Sequence, residues 1–163
     1  MKIPLQITAL EHLDTEWALV LDSRDVLLCG PLDPIFERFA TYAKPQGGPV
    51  MPWRSIKVLF GATKNNHPAV TIDKLRDRDW LGEFKYLNAG TVLGRTADLL
   101  TFYRCAAEIQ EQVDNPWDSE QFLVRHTFAR HTDTVGFDWR CSIFQTFGRV
   151  DVFEDDDGLV TIS

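Results

Sequence analysis

The chain has 163 residues, of which 44% are hydrophobic, 12% aromatic and 25% charged, a composition that predicts one packed domain and excludes a disordered segment. Its formal net charge of -7 argues against nucleic acid or an anionic membrane as a partner, because both favour clustered Lys and Arg. No stretch approaches the roughly 20 apolar residues of a membrane span, and the first residues do not resemble a secretory signal. We therefore expect a cytoplasmic protein.

The first half of the chain predicts helices that alternate with buried strands. Residues 3–13 place apolar side chains at helical spacing, and "WALVL" at 17–21 is apolar on both faces, as is typical of a central strand covered by helices on either side. A second helix begins at Asp33, an N-cap followed by Pro at the first helical position. "IKVLFGA" at 56–62 predicts another buried strand, and residues 63–84 an irregular crossover whose length suggests a functional loop.

The second half begins with "YLNAGTVLGR" at 86–95, a predicted strand whose internal glycines indicate a bulge or a close backbone approach. Helices are predicted over 96–113 and 119–131. Short strands in "TVGF", "SIFQTF", "RVDVF" and "LVTIS" close the chain, with "EDDDG" as a solvated turn between the last two. The order of elements predicts an α/β three-layer sandwich with a mostly parallel sheet and small antiparallel strands at the carboxyl end.

Two carboxylates follow the first strand, in the run "WALVLDSRD". Parallel sheets bind ligands at the carboxyl ends of their strands, so Asp22 and Asp25 could converge there on a hard cation such as Mg²⁺ or Mn²⁺. The alternative is structural. In that alternative Asp22 caps a neighbouring backbone N–H and Asp25 pairs with Arg24 or Arg54.

Five stretches, taken together and in order, carry a resemblance to a known family: "VLDSRDVLL", "KVLFGA", "FKYLNAGTVLGR", "WDSEQFLV" and "CSIFQTF". They resemble the glycosyltransferase domain that precedes the hydroxylase part of the collagen lysyl hydroxylases, and more distantly the collagen galactosyltransferases. The family shows a D-S-x-D element after a central strand, an L-N-S-G element, an acidic element that opens a helix, and an I-F-Q near the end.

The resemblance implies a GT-A fold, a Rossmann-type domain that uses Mn²⁺ (or Mg²⁺) and a UDP-sugar donor to glycosylate a hydroxyl of a glycan or protein acceptor. It implies that Asp22 and Asp25 hold the metal. Asp118 and Glu120 would be the catalytic carboxylates near the transferred sugar. The residues implied to bind the substrate are Asn88, Gly90, Gln121 and Trp117, with Ala89 beside them.

The chain also departs from the family. The Glu that follows the second strand is absent from "LFGATKNNHP", L-N-S-G-G is replaced by "LNAGT", and the acidic run before Gln is thinned to "DNPWDSEQ". The family's first strand, helix and strand and its final His element have no counterpart. We therefore expect residues 1–163 to form a single partial GT-A-like domain, either completed by a homo-oligomer or another chain, or serving as a non-catalytic binding or assembly module that has lost the nucleotide pocket.

The four histidines are potential metal ligands. His67, in the crossover, could stand in for the missing His if that segment folds over Asp22. His126 and His131 are five residues apart and so do not match a helical zinc pair. They are predicted to be solvated residues of a helix.

Overall fold

The structure is a computed structural model that describes residues 2–22, 26, 28, 30–43, 56–66, 83–114, 119–145, 152–154 and 160–162. Within these residues the protein has a mixed α/β fold. The helices are α1 (Ile3–Glu11), α2 (Asp33–Ala43), α3 (Thr96–Gln112) and α4 (Glu120–Arg130). The strands are β1 (Trp17–Leu21), β2 (Val58–Thr63), β3 (Tyr86–Arg95), β4 (Val135–Phe137), β5 (Val152–Glu154) and β6 (Val160–Ile162).

The main sheet has four strands in the order β1-β3-β2-β4. β2 and β4 pair in parallel, whereas β3 is antiparallel to both of its neighbours. The described sheet is therefore mixed, and the expectation of a mostly parallel sheet is wrong. β1, β2 and β4 do run in the same direction, but β3 lies between β1 and β2 and runs the opposite way. A strand buried on both faces has the same apolar pattern in either direction, so the sequence could not reveal this.

Apolar side chains alternate between the two faces of the sheet, and each face is covered by helices. On one face, β1, β2 and β3 contribute Ala18, Phe60 and Val92 to a core that includes the buried faces of α1, α3 and α4. On the other face, Leu59 and Leu93 pack with Phe39 of α2. This burial on both sides explains the continuous apolar run of β2. The expectation that β1 is a central strand is wrong, because β1 is an edge strand of the described sheet and is only partly buried.

The strand β3 contains an irregularity at its centre. Phe60 of β2 pairs with Val92, but the next residue, Gly61, pairs with Asn88, so residues 89–91 of β3 have no opposing residue on β2. The expectation that "LNAGT" contains a bulge is confirmed. Because bulged residues leave the regular ladder, their backbone groups need other partners.

The segment "CSIFQTF" was expected to contain a strand from Ser142, but the described residues 142–145 are not in a strand. The Asp138 carboxylate accepts hydrogen bonds from the backbone N–H groups of Ser142, Ile143 and Phe144 at 3.0, 2.6 and 2.8 Å. These N–H groups are used in a tight turn and are not available to a sheet. Farther along, β5 and β6 form the expected antiparallel pair.

The described part of the chain contains no helix with the length and apolar character needed to cross a membrane. Two of the three cysteines, Cys105 and Cys141, lie in this part, and both are free. Burial raises the pKa of the Cys141 thiol to about 11, which makes it a poor nucleophile near neutral pH.

Candidate functional site

Asp22 immediately follows β1 and lies beside the bulge of β3. Its backbone N–H donates to the carbonyl oxygen of Gly90 at 2.8 Å, which continues the ladder between β1 and β3 by one residue. A β-carbon at Gly90 would lie 3.1 Å from Asp22 Oδ2 and 2.9 Å from Asn88 Oδ1. Glycine at position 90 is therefore what allows both polar side chains to pack closely against the backbone.

The amino end of α4 approaches the same edge of the sheet and completes a cleft of about 330 Å³. We call it the edge cleft. Its lining residues are Lys2, Asp22, Asn88, Ala89, Gly90, Ser119, Glu120 and Gln121. The cleft thus brings together side chains from the start of α1, the end of β1, the bulge of β3 and the first turn of α4.

Side chains satisfy the backbone of the bulge. The Ala89 N–H donates to Gln121 Oε1 at 2.6 Å, and the Gly90 N–H donates to Asn88 Oδ1 at 2.7 Å. Gln121 also donates from Nε2 to the carbonyl oxygen of Leu87. Both ends of the Gln121 amide are therefore engaged with β3, so this residue holds α4 against the bulge.

A buried arginine fixes the neighbouring loop. Arg125 of α4 is 3% exposed, and its guanidinium donates to the carbonyl oxygens of Leu87 and Asn65 and to Asn66 Oδ1, each at 3.0 to 3.1 Å. Asn65 and Asn66 follow the end of β2, so Arg125 ties this loop and β3 to α4 behind the edge cleft. The guanidinium also lies 5.7 Å from the centre of the Tyr86 ring.

Lys2 supplies the positive charge of the edge cleft. Its ammonium is paired with Asp22 Oδ1 and lies 3.6 Å from Glu120 Oε2. The hydrogen bond to Asp22 is the main cause that raises the pKa of Lys2, although partial burial acts against it. The Asp22 and Glu120 carboxylates, which come from different elements, therefore share one positive charge, the Lys2 ammonium.

Glu120 is the most enclosed carboxylate of the cleft, with 10% of its side chain exposed. Burial raises the pKa of the Glu120 carboxyl, and Asp22 acts in the same direction, whereas Gln6 and Lys2 oppose the rise. Gln6 of α1 donates its side-chain N–H to Glu120 Oε1. The carboxyl is thus held in one orientation in the first turn of α4, where the helix dipole favours negative charge.

The buried hydroxyl of Tyr103 responds to the same charges. Burial raises its pKa strongly, and Glu120 and Asp22 add to the effect. Within the described residues this hydroxyl has no hydrogen-bond partner.

The described residues contain no group of three His, Cys, Asp or Glu side chains around one point that could hold a metal ion. Asp22 and Glu120 provide oxygen donors of the type that Mn²⁺ and Mg²⁺ prefer, and they surround a single positive charge. They fit a hard dication in donor type, with further donors needed to complete its shell.

Asp22, Asn88, Gly90, Glu120 and Gln121, which were singled out from the sequence, all line the edge cleft. The remaining candidates, Asp25, Trp117, Asp118 and His67, lie outside the described residues. The expectation for His126 is wrong, because it is buried on α4 against the ring of Phe122.

Sequence reasoning missed Lys2, Gln6 and Arg125. Lys2 and Gln6 are far along the chain from the motifs that contain Asp22 and Glu120. The packing of α1 against α3 brings them to these two carboxylates. Arg125 had a weak signal: an arginine inside the apolar stretch "FLVRHTF" sits at a position that is charged and yet buried.

No protein-family model matches this chain, and no curated protein matches its sequence.

Proposed function

We propose that this protein is a GT-A-type, metal-dependent glycosyltransferase that moves a hexose from a UDP-sugar to an acceptor hydroxyl of a glycan or protein. The observation that carries the proposal is the convergence of Asp22, residues 88–90 of β3 and Glu120 in one cleft. These residues belong to three of the motifs that resemble the family, and the resemblance implies that they meet at one site.

The contacts suggest distinct roles for the residues of the cleft. Glu120 is oriented by Gln6 and enclosed by burial, as suits a carboxylate that takes a proton from an acceptor hydroxyl or orients the donor sugar. Asn88 uses Oδ1 for the Gly90 N–H, which leaves its amide nitrogen to donate to a sugar oxygen. Gln121 acts as a positioning residue for the bulge.

In this proposal Asp22 and Asp25 would be the two carboxylate ligands of a divalent cation. When bound, such a cation supplies positive charge that stabilises the departing UDP phosphates. The chain's own residues perform the remaining tasks: Gly90 allows the close approach of Asp22 to β3, and the first turn of α4 presents Glu120 to the cleft.

A second candidate function is a non-catalytic relative that keeps the cleft as a binding or assembly module. One observation favours it: the Asp22 carboxylate is already paired with Lys2. In a protein that does not use a metal, the pairing of Lys2 with Asp22 has no functional cost.

Turnover and binding together separate the two candidates. UDP release from a panel of UDP-hexoses is measured with Mn²⁺ and simple hydroxyl acceptors, beside UDP binding by calorimetry. We expect turnover that falls about a hundredfold or more in Glu120→Gln, and a loss of metal-dependent UDP binding in Asp22→Asn. Asp98→Asn, which removes a partly exposed carboxylate paired with Lys57, is the matched control and should retain both properties.

Each outcome has a defined meaning. UDP binding without turnover for any donor would contradict the catalytic proposal. If the wild-type protein neither binds UDP nor releases it from any donor, the glycosyltransferase proposal is wrong and the module that has lost the nucleotide pocket is favoured.

A further inference from the structure

The Lys2 ammonium occupies the position between the two carboxylates of the edge cleft. It is paired with Asp22 Oδ1 and lies 3.6 Å from Glu120 Oε2. A positive charge between two carboxylates offsets their mutual repulsion. Asp22 is also the described residue that would hold the divalent cation of the proposed function.

The backbone of Lys2 has a fixed position, whereas the end of its side chain can move. The next residue, Ile3, is fully buried in the core with Leu10 of α1, so the start of the helix has a fixed position. The Lys2 side chain itself is 57% exposed. An exposed ion pair of this kind is weak and its side chain can rotate away at small cost.

A dication and the lysine ammonium cannot share the Asp22 oxygen. At a separation of a few ångströms they repel each other, and the shell of a divalent cation excludes a second cation from the same lone pairs. Removing the lysine charge would leave two carboxylates facing each other, an arrangement that favours binding of a cation.

We infer that Lys2 is a built-in competitor for the divalent cation, so that Asp22 in the edge cleft holds either the lysine ammonium or the metal. This inference rests on the proposed function, because it concerns the metal of that same site. It assigns Lys2 a regulatory role: metal affinity is lowered in the resting protein, and the metal binds when Lys2 turns to another partner.

The test is a Mn²⁺ titration of the full chain, in which electron paramagnetic resonance measures the free Mn²⁺. We expect Lys2→Gln to bind Mn²⁺ about fivefold to tenfold more tightly than the wild type, the change that loss of one half-exposed opposing charge allows. Lys2→Met, a second neutral variant, should give the same gain, and Lys2→Arg should retain wild-type affinity.

Two controls locate the effect. Lys57 is 54% exposed and is paired with Asp98 at the opposite edge of the sheet, so Lys57→Gln removes an equivalent charge and should leave Mn²⁺ affinity unchanged. The double variant Lys2→Gln with Asp22→Asn should lose the gain, because it removes the carboxylate for which the two cations compete.

Equal Mn²⁺ affinity in the wild type and in both neutral Lys2 variants would overturn the competition, as would an absence of Mn²⁺ binding in all of them. Failure of the proposed function is seen separately, because UDP binding and turnover are measured on the wild type. A gain in Mn²⁺ affinity without any UDP binding would support the competition and contradict the glycosyltransferase proposal.

Discussion

The side chain of Asp138 is fully buried, and its carboxylate accepts four hydrogen bonds from the turn that follows β4. Three come from backbone N–H groups and the fourth from the Ser142 hydroxyl at 3.0 Å. Hydrogen bonds to a charged group are stronger than neutral ones, and a donor left unpaired in the interior is costly. Asp138 therefore fixes the course of the chain from Ser142 to Phe144, which packs in the core beside α2.

We expect Asp138→Ala to lower the free energy of unfolding by about 3 kcal/mol, because it removes the acceptor of one buried and two partly buried backbone N–H groups. Urea denaturation measures the change. Asp133→Ala, at an exposed position in the turn before β4, is the control and should stay within about 0.5 kcal/mol of the wild type. A comparably small change in Asp138→Ala would contradict the role assigned to the carboxylate.

His126 is a buried residue whose titration affects stability. Burial lowers the pKa of its imidazole, and the charge of Arg130 adds to the effect. As pH falls through the ordinary value of 6.5, the unfolded chain takes up a proton before the folded protein does. Stability from this group is therefore complete above about pH 6.5 and is lost as pH falls toward the lowered pKa.

The prediction is that the free energy of unfolding falls more steeply between pH 7 and pH 5 in the wild type than in His126→Gln. Urea denaturation at several pH values gives both slopes. At pH 8 the two proteins differ only by the packing lost against the Phe122 ring, whose centre lies 4.4 Å from that of the imidazole. Parallel slopes from pH 8 to pH 5 would show that protonation of His126 has no such cost.

At the scale of elements, β3 contains two glycines at which an added β-carbon would meet different kinds of neighbouring atoms. Gly90 lies in the bulge, where an added β-carbon would meet the ends of the Asn88 and Asp22 side chains. Gly94 lies at the opposite end of the strand, where an added β-carbon would lie 2.8 Å from the backbone oxygen of Lys57 and 3.2 Å from Leu99 Cγ. Side-chain ends can move, whereas a paired backbone in a sheet cannot move without strain.

We therefore expect the two substitutions to have opposite effects. Gly94→Ala should lower the free energy of unfolding by about 1 to 3 kcal/mol and leave UDP binding unchanged. Gly90→Ala should cost less stability but displace Asp22 and Asn88 and so weaken UDP binding. Gly30→Ala, where nothing lies within 4 Å of an added β-carbon, controls for the substitution itself. If Gly90→Ala bound UDP normally, the bulge would not be part of the site.

The elements show what can be predicted from sequence and what cannot. The bounds of β1 and β3 agree with the prediction. β1 is an apolar run between acidic residues, and β3 ends where the apolar pattern changes to the helical period of α3. The helix at Asp33 was also predicted, from its N-terminal Asp-Pro signal. The direction of β3 and the turn at Asp138 were not, because neither leaves a local pattern: one depends on strand pairing and the other on a single buried carboxylate.

At the scale of the whole molecule, the candidate site depends on long-range packing. Asp22, Asn88 and Glu120 could be named from motifs, and the direction of β1 placed Asp22 at the edge of the sheet. Lys2 could not be found in this way, because its position depends on the packing of α1 against α3, to which the Arg104 pairing with Glu11 at 2.8 Å contributes. The spacing of residues along the chain therefore cannot predict that a charge from a distant element lies in the site.

The central claim is that the edge cleft binds a UDP-sugar together with a divalent cation. Thermal melting of the wild-type protein, with Mn²⁺, with UDP and with both, tests this most directly, because a ligand that binds only the folded state raises the midpoint. At a hundred times the dissociation constant, we expect UDP with Mn²⁺ to raise the midpoint by roughly 5 to 10 °C, and either ligand alone to raise it less. An unchanged midpoint with both ligands present would contradict the account.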